Sequence, residues 1–501
     1  MAKFKRYNYS QSVLIPVSLE KQLMPGTLEF AIHKLVETYM DLSVFDDKYH
    51  NDQTGRSAYD PKILLKVILL AYSRGLISSR KIEQACRENI IFMALACGQY
   101  PDHSTIAGFV SSMKGQILPL FRDVLLVCEE QKLLGGTFFA LDGCKLPSNA
   151  SKEWSGKISD LKRKKDKIER KVQRLLNEQI ETDNSKSNEP PDQTNYEKQI
   201  EKLKQQAERI ENWLNQNGPR IGANGKEIQS NITDNESAKM HTSHGIIQGY
   251  NGQALVDKKR QVILHAETFG SGQDHGHLDP MIDGAKKNIQ AIGQSQDYFK
   301  DKILTADTNY HSHNNIEKCI KEEVDAYIPD LKFRRRDPRF ATQERYQPKK
   351  EEFFKLEDFK HDQAKDQYIC PNGQPLKLNV KKAVRDRIIY RRYVSNVETC
   401  QACALKGRCI RRKTGKRKNL IVPIGYTKDN YSKAMAEKVD SVIGRRIYPQ
   451  RIAIVEPVFA NIRTHKQLNR FTLRGKIKVN IQWMLYCIIH NMCKIARYAT
   501  V

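Results

Sequence analysis

No apolar run in this 501-residue sequence approaches the roughly 20 residues that a helix needs to cross a bilayer. Acidic charge is also in short supply: 58 Asp and Glu stand against 84 Lys and Arg, leaving a formal charge of +26. A deficit that large, on a chain still 39% hydrophobic, excludes a disordered polymer and points to a folded protein with a polyanionic partner. Charge alone leaves DNA, RNA or an anionic membrane surface open. Met1–Tyr9 is basic, but no apolar stretch of the signal-peptide kind follows it. The expectation is therefore a reducing cytosol and no membrane. There the eleven cysteines are free thiols or metal ligands rather than disulfides. That narrows the expected partner to nucleic acid.

The length suggests about three domains. Residues 1–135 read as helical, with Leu28, Ile32, Leu35 and Val36 at helical spacing and Ile63, Leu64, Val67, Leu70 and Ala71 repeating the pattern. Short helices follow at Ser79–Cys86 and Ser104–Met113, the second opened by the capping residues Asp102, Ser104 and Thr105. On a basic chain they allow a helix-turn-helix contact with DNA, although periodicity fits a plain helical bundle equally well.

The run TFFALDGCKL (137–146) reads as a buried strand, and residues 136–150 as its segment. Heptads come next. Ile158, Leu161, Lys165, Ile168, Val172 and Leu175 form one seam, and Tyr196, Ile200, Leu203, Ala207, Ile210 and Leu214 a second. The polar stretch 181–195, with Pro190 and Pro191, breaks them, so residues 155–217 are expected to form an antiparallel coiled-coil hairpin. The charged run LKRKKDKIERK (161–171) falls on its outer faces, where charge is the norm. Asn215–Lys239 reads as a loop back to the body. Over 240–330, strands at 249–257, 261–270, 302–310 and 324–329 alternate with helices at Asp279–Ile292 and Asn314–Glu323, the pattern of a mixed sheet with helices on its faces. A basic, Cys-bearing stretch at 331–435 interrupts, and helices return from about Pro457 within a C-terminal part at 440–501.

Asp142 and Asp307 each lie just past the apolar part of a strand, where side chains leave the packed layer and face a ligand. Paired carboxylates suit Mg²⁺, a hard cation that prefers oxygen ligands, and Glu456, expected to open a helix, would complete a two-metal site. An Asp after a strand is more often a turn or cap residue, and periodicity does not single these three out from 58 acids.

The segments FFALDGCKLPSNAS, GYNGQALVD, ILTADTNYHS and EPVFANIRTHKQLNRFTLRGKIKVNIQWMLYCIIHN resemble, in that order, blocks of bacterial insertion-sequence transposases with a DDE catalytic core. YDPKILLKVILLAYSRGLISSRKIEQACRENIIFMAL and PDHSTIAGF look like the helical domain that precedes that core. The resemblance implies an RNase H-like mixed sheet with helices on both faces, preceded by an all-α DNA-binding domain and interrupted before the helix bearing the last acid. By position, Asp142, Asp307 and Glu456 match the catalytic, metal-binding acids, with Mg²⁺ or Mn²⁺ as cofactor. Tyr448, Arg451 and Arg463 match DNA-contacting positions. Four residues separate Arg451 from Glu456 where many relatives have three, and Arg463 stands where Lys is usual, with Lys466 a substitute.

Cys370, Cys400, Cys403 and Cys409 form a C-x29-C-x2-C-x5-C pattern compatible with a zinc-ribbon-like structural Zn²⁺, although Cys370 lacks a near partner. The alternative is free thiols in a small β domain. Cys86, Cys97, Cys128, Cys487 and Cys493 are expected in the core. Basic runs at 332–339, 406–418 and 444–451 suit phosphates, or else solvated loops. His241, His244, His265, His275 and His277 lack the spacing of a known metal centre; His275 or His277 is better placed to line a cleft, and His490 to sit in the core.

The expectation is a DNA transposase that hydrolyses the phosphodiester at each element end and transfers the freed 3′-hydroxyl into target DNA. Its partners are terminal repeats and target DNA, engaged as a homodimer in a bacterial cytoplasm, on the nucleoid when bound. The rival readings are a metal-dependent nuclease or resolvase without strand transfer, and a non-catalytic DNA-binding regulator.

Overall fold

The computed structural model describes residues 17–49, 57–184, 193–222, 225–243, 245–346, 353–385, 388–412, 414–426 and 431–499. Met1–Tyr9, most of the break between the heptads with Pro190 and Pro191, and His244 lie outside the described residues. The chain divides into two compact units: residues 1–310, 318–327 and 446–501 form the first, and 311–317 and 328–445 the second.

The first unit opens with α1 (Leu28–Thr38), α2 (Pro61–Ser73), α3 (Ser79–Glu88), α4 (Ile90–Leu95), α5 (His103–Ser111) and α6 (Ile117–Glu130). Local chemistry sets their starts. Asp60 accepts from Lys62 N ahead of Pro61, and Asp102 accepts from Ser104 N and Thr105 N at 2.9 and 3.0 Å. Every residue of α2 from Ile63 to Tyr72 is buried, which makes it the central helix of this group. Glu83 of α3 accepts from His103 N at 3.0 Å and ties α3 to the start of α5.

The sheet is six-stranded. β1 (Phe138–Pro147), β4 (Ala238–Thr242), β5 (Gly245–Asp257), β6 (Ile263–Phe269), β7 (Ile303–Ala306) and β8 (Asp325–Tyr327) run in the order β4-β5-β1-β7-β8, with β6 paired to β5; the short β2 (Ser155–Gly156) and β3 (Ser230–Asn231) pair apart. β1 is antiparallel to β5 and parallel to β7, and β7 is parallel to β8, so the sheet is mixed as its sequence pattern indicates. Leu255 pairs with His265, so His265 and Gly252 lie on opposite faces. A Cβ on Gly284 of α9 (Leu278–Ala291) would meet His265, and one on Gly252 would meet the Trp483 ring of α17 (Lys476–Tyr498). These contacts put α9 and α17 on the two faces. α17 is buried almost throughout from Val479 to Ile495, and Tyr486 stacks on Tyr72 of α2 at 5.3 Å, so helices and sheet share one core.

Between β2 and β3 run α7 (Ile158–Asn184) and α8 (Gln193–Gln216), which pack through Val172, Leu175 and Ile200. Lys165 sits in the seam by pairing with Glu211 at 2.8 Å, whereas Tyr196, expected there, is exposed. α10 (His313–Lys321) and α15 (Val442–Ile447) span boundaries between the units.

The second unit holds a separate five-stranded antiparallel sheet: β9 (Lys360–Asp362), β10 (Gln367–Ile369), β11 (Pro375–Arg385), β12 (Ile388–Val394) and β13 (Asn419–Tyr426). Its core is Phe359, Leu376, Tyr393 and Leu420. The helices α11 (Phe333–Arg336), α12 (Val397–Gln401), α13 (Lys406–Cys409) and α14 (Tyr431–Asp440) complete it. The arginines of 332–339 are partly spent on structure: Arg336 pairs with Asp330 and Asp440, and Arg339 with Asp337.

None of the eleven cysteines is in a disulfide. Cys86, Cys128 and Cys487 are buried as expected, but Cys97 is exposed. It lies in the turn that ends α4, with φ at +48°, so its side chain leaves the apolar face of the helix.

Candidate active site

Two parallel strands bring the first two acids together. The last paired residues of β1 and β7 are Leu141 and Ala306, so Asp142 and Asp307 are the next residues in register. Neighbouring strands lie about 4.8 Å apart, which makes the two carboxylates neighbours. β7 ends there, while β1 runs on to Pro147 with Asp142 opposite Ala254; Asp142 is thus mid-strand at the point where its parallel neighbour leaves. A Cβ on the next residue, Gly143, would collide with Gln253 and Asn251, so only glycine leaves room for those amides.

The surroundings hold both acids in place. Asp142 Oδ1 accepts from Gly143 N at 2.8 Å, and Asp142 Oδ2 is ion-paired with Arg451. Burial raises the Asp142 carboxyl to about 6, opposed by Arg451 and Gly143 N and reinforced by the Asp307 charge. Asp307 Oδ1 accepts from Thr308 N and from Thr308 Oγ1 at 3.1 Å. Behind them is a buried polar layer. Tyr310 OH donates to Gln253 Oε1, and the amides of Gln253 and Asn251 both donate to Asp274 Oδ1, at 2.9 and 2.6 Å.

Arg451, Glu456 and Arg463 come from α16 (Gln450–Ala460) and the π-helical turn Asn461–His465 that continues it. α16 begins at Gln450, so Glu456 lies inside the helix rather than opening it, and Pro457 follows it there. Pro457 lacks the N–H that would bond Ala453 O. Gln261, in the turn between β5 and β6, fills that place: its Nε2 donates to Ala453 O at 3.0 Å. Arg451 is buried and Glu456 exposed, as five residues of helix require. Cys144, two residues beyond Asp142 on the same strand, links the parts. Burial raises its thiol to about 11, Arg463 opposes through its charge and a hydrogen bond, and Asp142 and Glu456 add to the rise.

The structure therefore brings Asp142, Asp307 and Arg451 together and sets Arg463 beside Cys144, while Glu456 reaches them only through its charge. Among the described residues no three Asp, Glu, His or Cys side chains stand close enough to cage a metal ion. Tyr448 is half-buried and adds to the field at Arg451. Lys466, expected as a substitute for Arg463, is only 3% exposed; it donates to Asn461 Oδ1 beside Cys493 and Cys487, which keeps it from a phosphate outside. His275 is exposed, whereas His277 is buried, stacked on Phe269 at 4.0 Å and bonded to Ser271 at 2.7 Å. His490 is a satisfied core residue between Asn461 Oδ1 and Gln261 O. Gln253, Asn251, Asp274 and Gln261 escaped sequence reasoning, because a polar residue in a strand or turn carries no signal of what it will face.

In the second unit, Cys370, Cys400, Cys403 and Cys409 line one cavity of about 430 Å³ with Asn372 and Ser395. Cys370 sits in the tight turn between β10 and β11, where Gln374 N lies 3.3 Å from its Sγ and Gly373 takes φ +74°. Ser395 Oγ lies 2.9 Å from Cys400 Sγ. Burial raises the Cys409 thiol; Lys418 opposes, and the three other thiols add to the rise.

Two family models match the chain: a transposase DDE domain over residues 369–496 and a transposase domain, DUF772, over residues 17–112. The first holds Glu456, Arg451, Arg463 and the four cysteines; Asp142 and Asp307 lie outside it. A solved piggyBac transposase, in a synaptic complex with hairpin DNA, is similar at 10% identity over 94% of this chain and 74% of its own. Its TM-score of 0.31 is too low for a shared fold to follow. No curated protein matches the sequence. The two transposase models fall on the N-terminal helices and on the segment that carries α16, so the chain is similar to transposases over those two stretches.

Proposed function

We propose that the chain cleaves DNA at the ends of its element and transfers the freed 3′-hydroxyl into target DNA, on an RNase H-like core in which Asp142, Asp307 and Glu456 hold Mg²⁺ or Mn²⁺. The observation that carries this reading is the placement of Asp142 and Asp307 as next neighbours past the end of two paired parallel strands. Two carboxylates so close repel each other, and burial raises the penalty on Asp142, so the site favours added positive charge. Oxygen donors of this kind fit a hard divalent cation. When bound, the cation supplies the positive charge that lets an oxygen nucleophile displace another at phosphorus.

The residues of the chain do the rest. Asp142 and Asp307 would hold the cation, and the Gln253, Asn251 and Asp274 layer braces the strand that carries Asp142. Arg451 neutralises Asp142, and its fork would be free for a phosphate where a cation took over that charge. Arg463 flanks the same strand through Cys144. In this reading Glu456 would turn to the site from α16, whose Pro457 gap is closed by Gln261. We read the four cysteines of the second unit, which line one cavity although no three of them stand at caging distance, as residues that a structural Zn²⁺ would draw together. Two element ends must meet for joining, so the working form is a homodimer on DNA.

The test is incubation with linear DNA carrying the element's own flanking ends and Mg²⁺, with Asp307→Asn as control. End-specific nicks and joined products absent from the control are expected. Cleavage without joining would favour a nuclease, and binding without cleavage in Mg²⁺ or Mn²⁺ a regulator.

A further inference from the structure

We propose that the outward face of α7 is a docking surface for the phosphate backbone of duplex DNA, gripped by Arg163, Lys167, Arg170 and Arg174. These residues follow one another at spacings of 4, 3 and 4, the cadence of a single helical stripe. The seam residues Leu161, Ile168, Val172 and Leu175 lie about half a turn away, so the stripe points away from α8. All four cations are exposed.

Charge on a coiled coil is ordinarily a mixed, solvated coat, and α8 shows that pattern. It carries four basic residues, Lys198, Lys202, Lys204 and Arg209, and four acidic ones, Glu197, Glu201, Glu208 and Glu211. α7 departs from it: residues 162–174 hold eight Lys or Arg against two acids, Asp166 and Glu169. Off the stripe, Lys165 is paired with Glu169 and Glu211 at 3.4 and 2.8 Å. On the stripe, only Arg174 has an ion pair among the described residues, to Glu178 at 3.5 Å, and it is still 67% exposed. A second copy of the arm offers Glu197, Glu201, Glu208 and Glu211 on one face of α8, but Lys204 interrupts them and Glu211 is held by Lys165, so it presents no unbroken line of negative charge. A duplex does, since it presents a phosphate about every 1.7 Å of axis and the stripe spans about 16 Å.

The arm is also fixed to the right place. It follows β1, the strand of Asp142, through β2, and belongs to the same compact unit as both aspartates. Its base is held by Trp154, whose ring lies under Lys164 at 4.7 Å and Arg209 at 5.2 Å, and by Leu161, buried against Gly156. Arg163 is therefore about half a turn from an anchored root.

The choice of DNA over another polyanion rests on the transposase reading, and the test separates the two. The full chain carrying Arg163→Gln, Lys167→Gln, Arg170→Gln and Arg174→Gln is compared with wild type for binding a duplex of arbitrary sequence across a salt series. Each lost phosphate contact lowers the log–log salt slope by about 0.9, so a drop of roughly 3 to 4 is expected. Charge-keeping Arg163→Lys, Arg170→Lys and Arg174→Lys should retain the slope, and so should Lys198→Gln with Lys202→Gln and Lys204→Gln on α8. An unchanged slope in the first variant would overturn the proposal, as would an equal drop in the α8 variant. A wild-type chain that cleaves nothing yet shows the stripe-dependent slope would sink the activity and leave this surface standing.

Discussion

Arg451 and Asp142, 309 residues apart in sequence, form an ion pair between Nη1 and Oδ2 at the heart of the candidate site. Both side chains are largely out of water, at 11% and 20% exposure, so each holds the other's charge in place. Arg451→Ala leaves a carboxylate without its counter-charge and pushes Asp142 further above its ordinary range. The expected result is a loss of about 3–5 kcal/mol in urea unfolding and a larger loss of cleavage at neutral pH. Arg451→Lys keeps the charge without the fork, so it should recover stability better than activity. Equal stability of all three chains would show that the pair does not form in solution.

Asp142 also sets a pH dependence. Burial raises its carboxyl from 3.8 to about 6, so between those values the folded chain keeps a proton that the unfolded chain has lost. The contribution of this group to stability is therefore full below pH 3.8 and is lost as pH rises through 6. A divalent cation competes with that proton. Mg²⁺ is expected to raise the melting temperature at pH 7.5 and to do so far less at pH 5. A shift of the same size at both values, or one that survives Asp142→Asn, would remove Asp142 from the cation site.

Buried imidazoles act in the other direction. Burial lowers His265 and His277 to about 4 and His490 to about 3. The unfolded chain takes up these protons near pH 6.5, so their contribution is full above that value and is lost as pH falls toward 4. Three such groups give an upper slope of about 4 kcal/mol per pH unit near pH 5, which outweighs the opposite drift from one Asp142. Urea unfolding at pH 7.5, 6 and 5 should show a steep loss; a flat profile would mean that the three rings are charged in the folded chain.

Much of this architecture could be read from the sequence, because it depends on local periodicity. The strands ending near Asp142 and Asp307 are apolar runs, and the heptads of α7 and α8 mark their own seam. What escaped depends on contacts far apart in the chain. Nothing near Lys466 shows that Cys487 and Cys493 will enclose it. Nothing near Pro457 shows that the helix runs through it, since a proline normally marks a break and only the distant Gln261 repairs this one. Tyr196 fits its heptad but lies at the far end of α8, where little packs against it. The choice of three acids came from resemblance, as residue spacing alone could not make it.

The repair at Pro457 can be tested by removing Gln261. Its side chain bonds Ala453 O and accepts from Lys494 Nζ at 3.0 Å, while its backbone holds φ at +58°. Gln261→Ala keeps the strained backbone and loses both bonds, so a cost of about 1–3 kcal/mol is expected. Gln261→Asn tolerates the conformation but is too short to reach, and should recover part of the loss. Cleavage should fall with both, because the helix that carries Glu456 loses its brace. Full activity in Gln261→Ala would show that Glu456 is held by other means.

The four cysteines give the last prediction. Cys370, Cys400, Cys403 and Cys409 face one cavity, and the raised Cys409 thiol reflects burial and its neighbours rather than a thiolate in open water. A tetrahedral Zn²⁺ would take four thiolates and remove that penalty by displacing their protons. Protein purified without chelator should carry one zinc per chain by atomic absorption, released as the thiols are titrated with a mercurial. Cys403→Ser and Cys409→Ser should each lower zinc content and expose the second unit to protease, while Cys97→Ser, on a solvent-exposed thiol, should do neither. A zinc-free chain whose four thiols react at the rate of Cys97 would leave the alternative, a small β sheet held by Phe359, Leu376, Tyr393 and Leu420 alone.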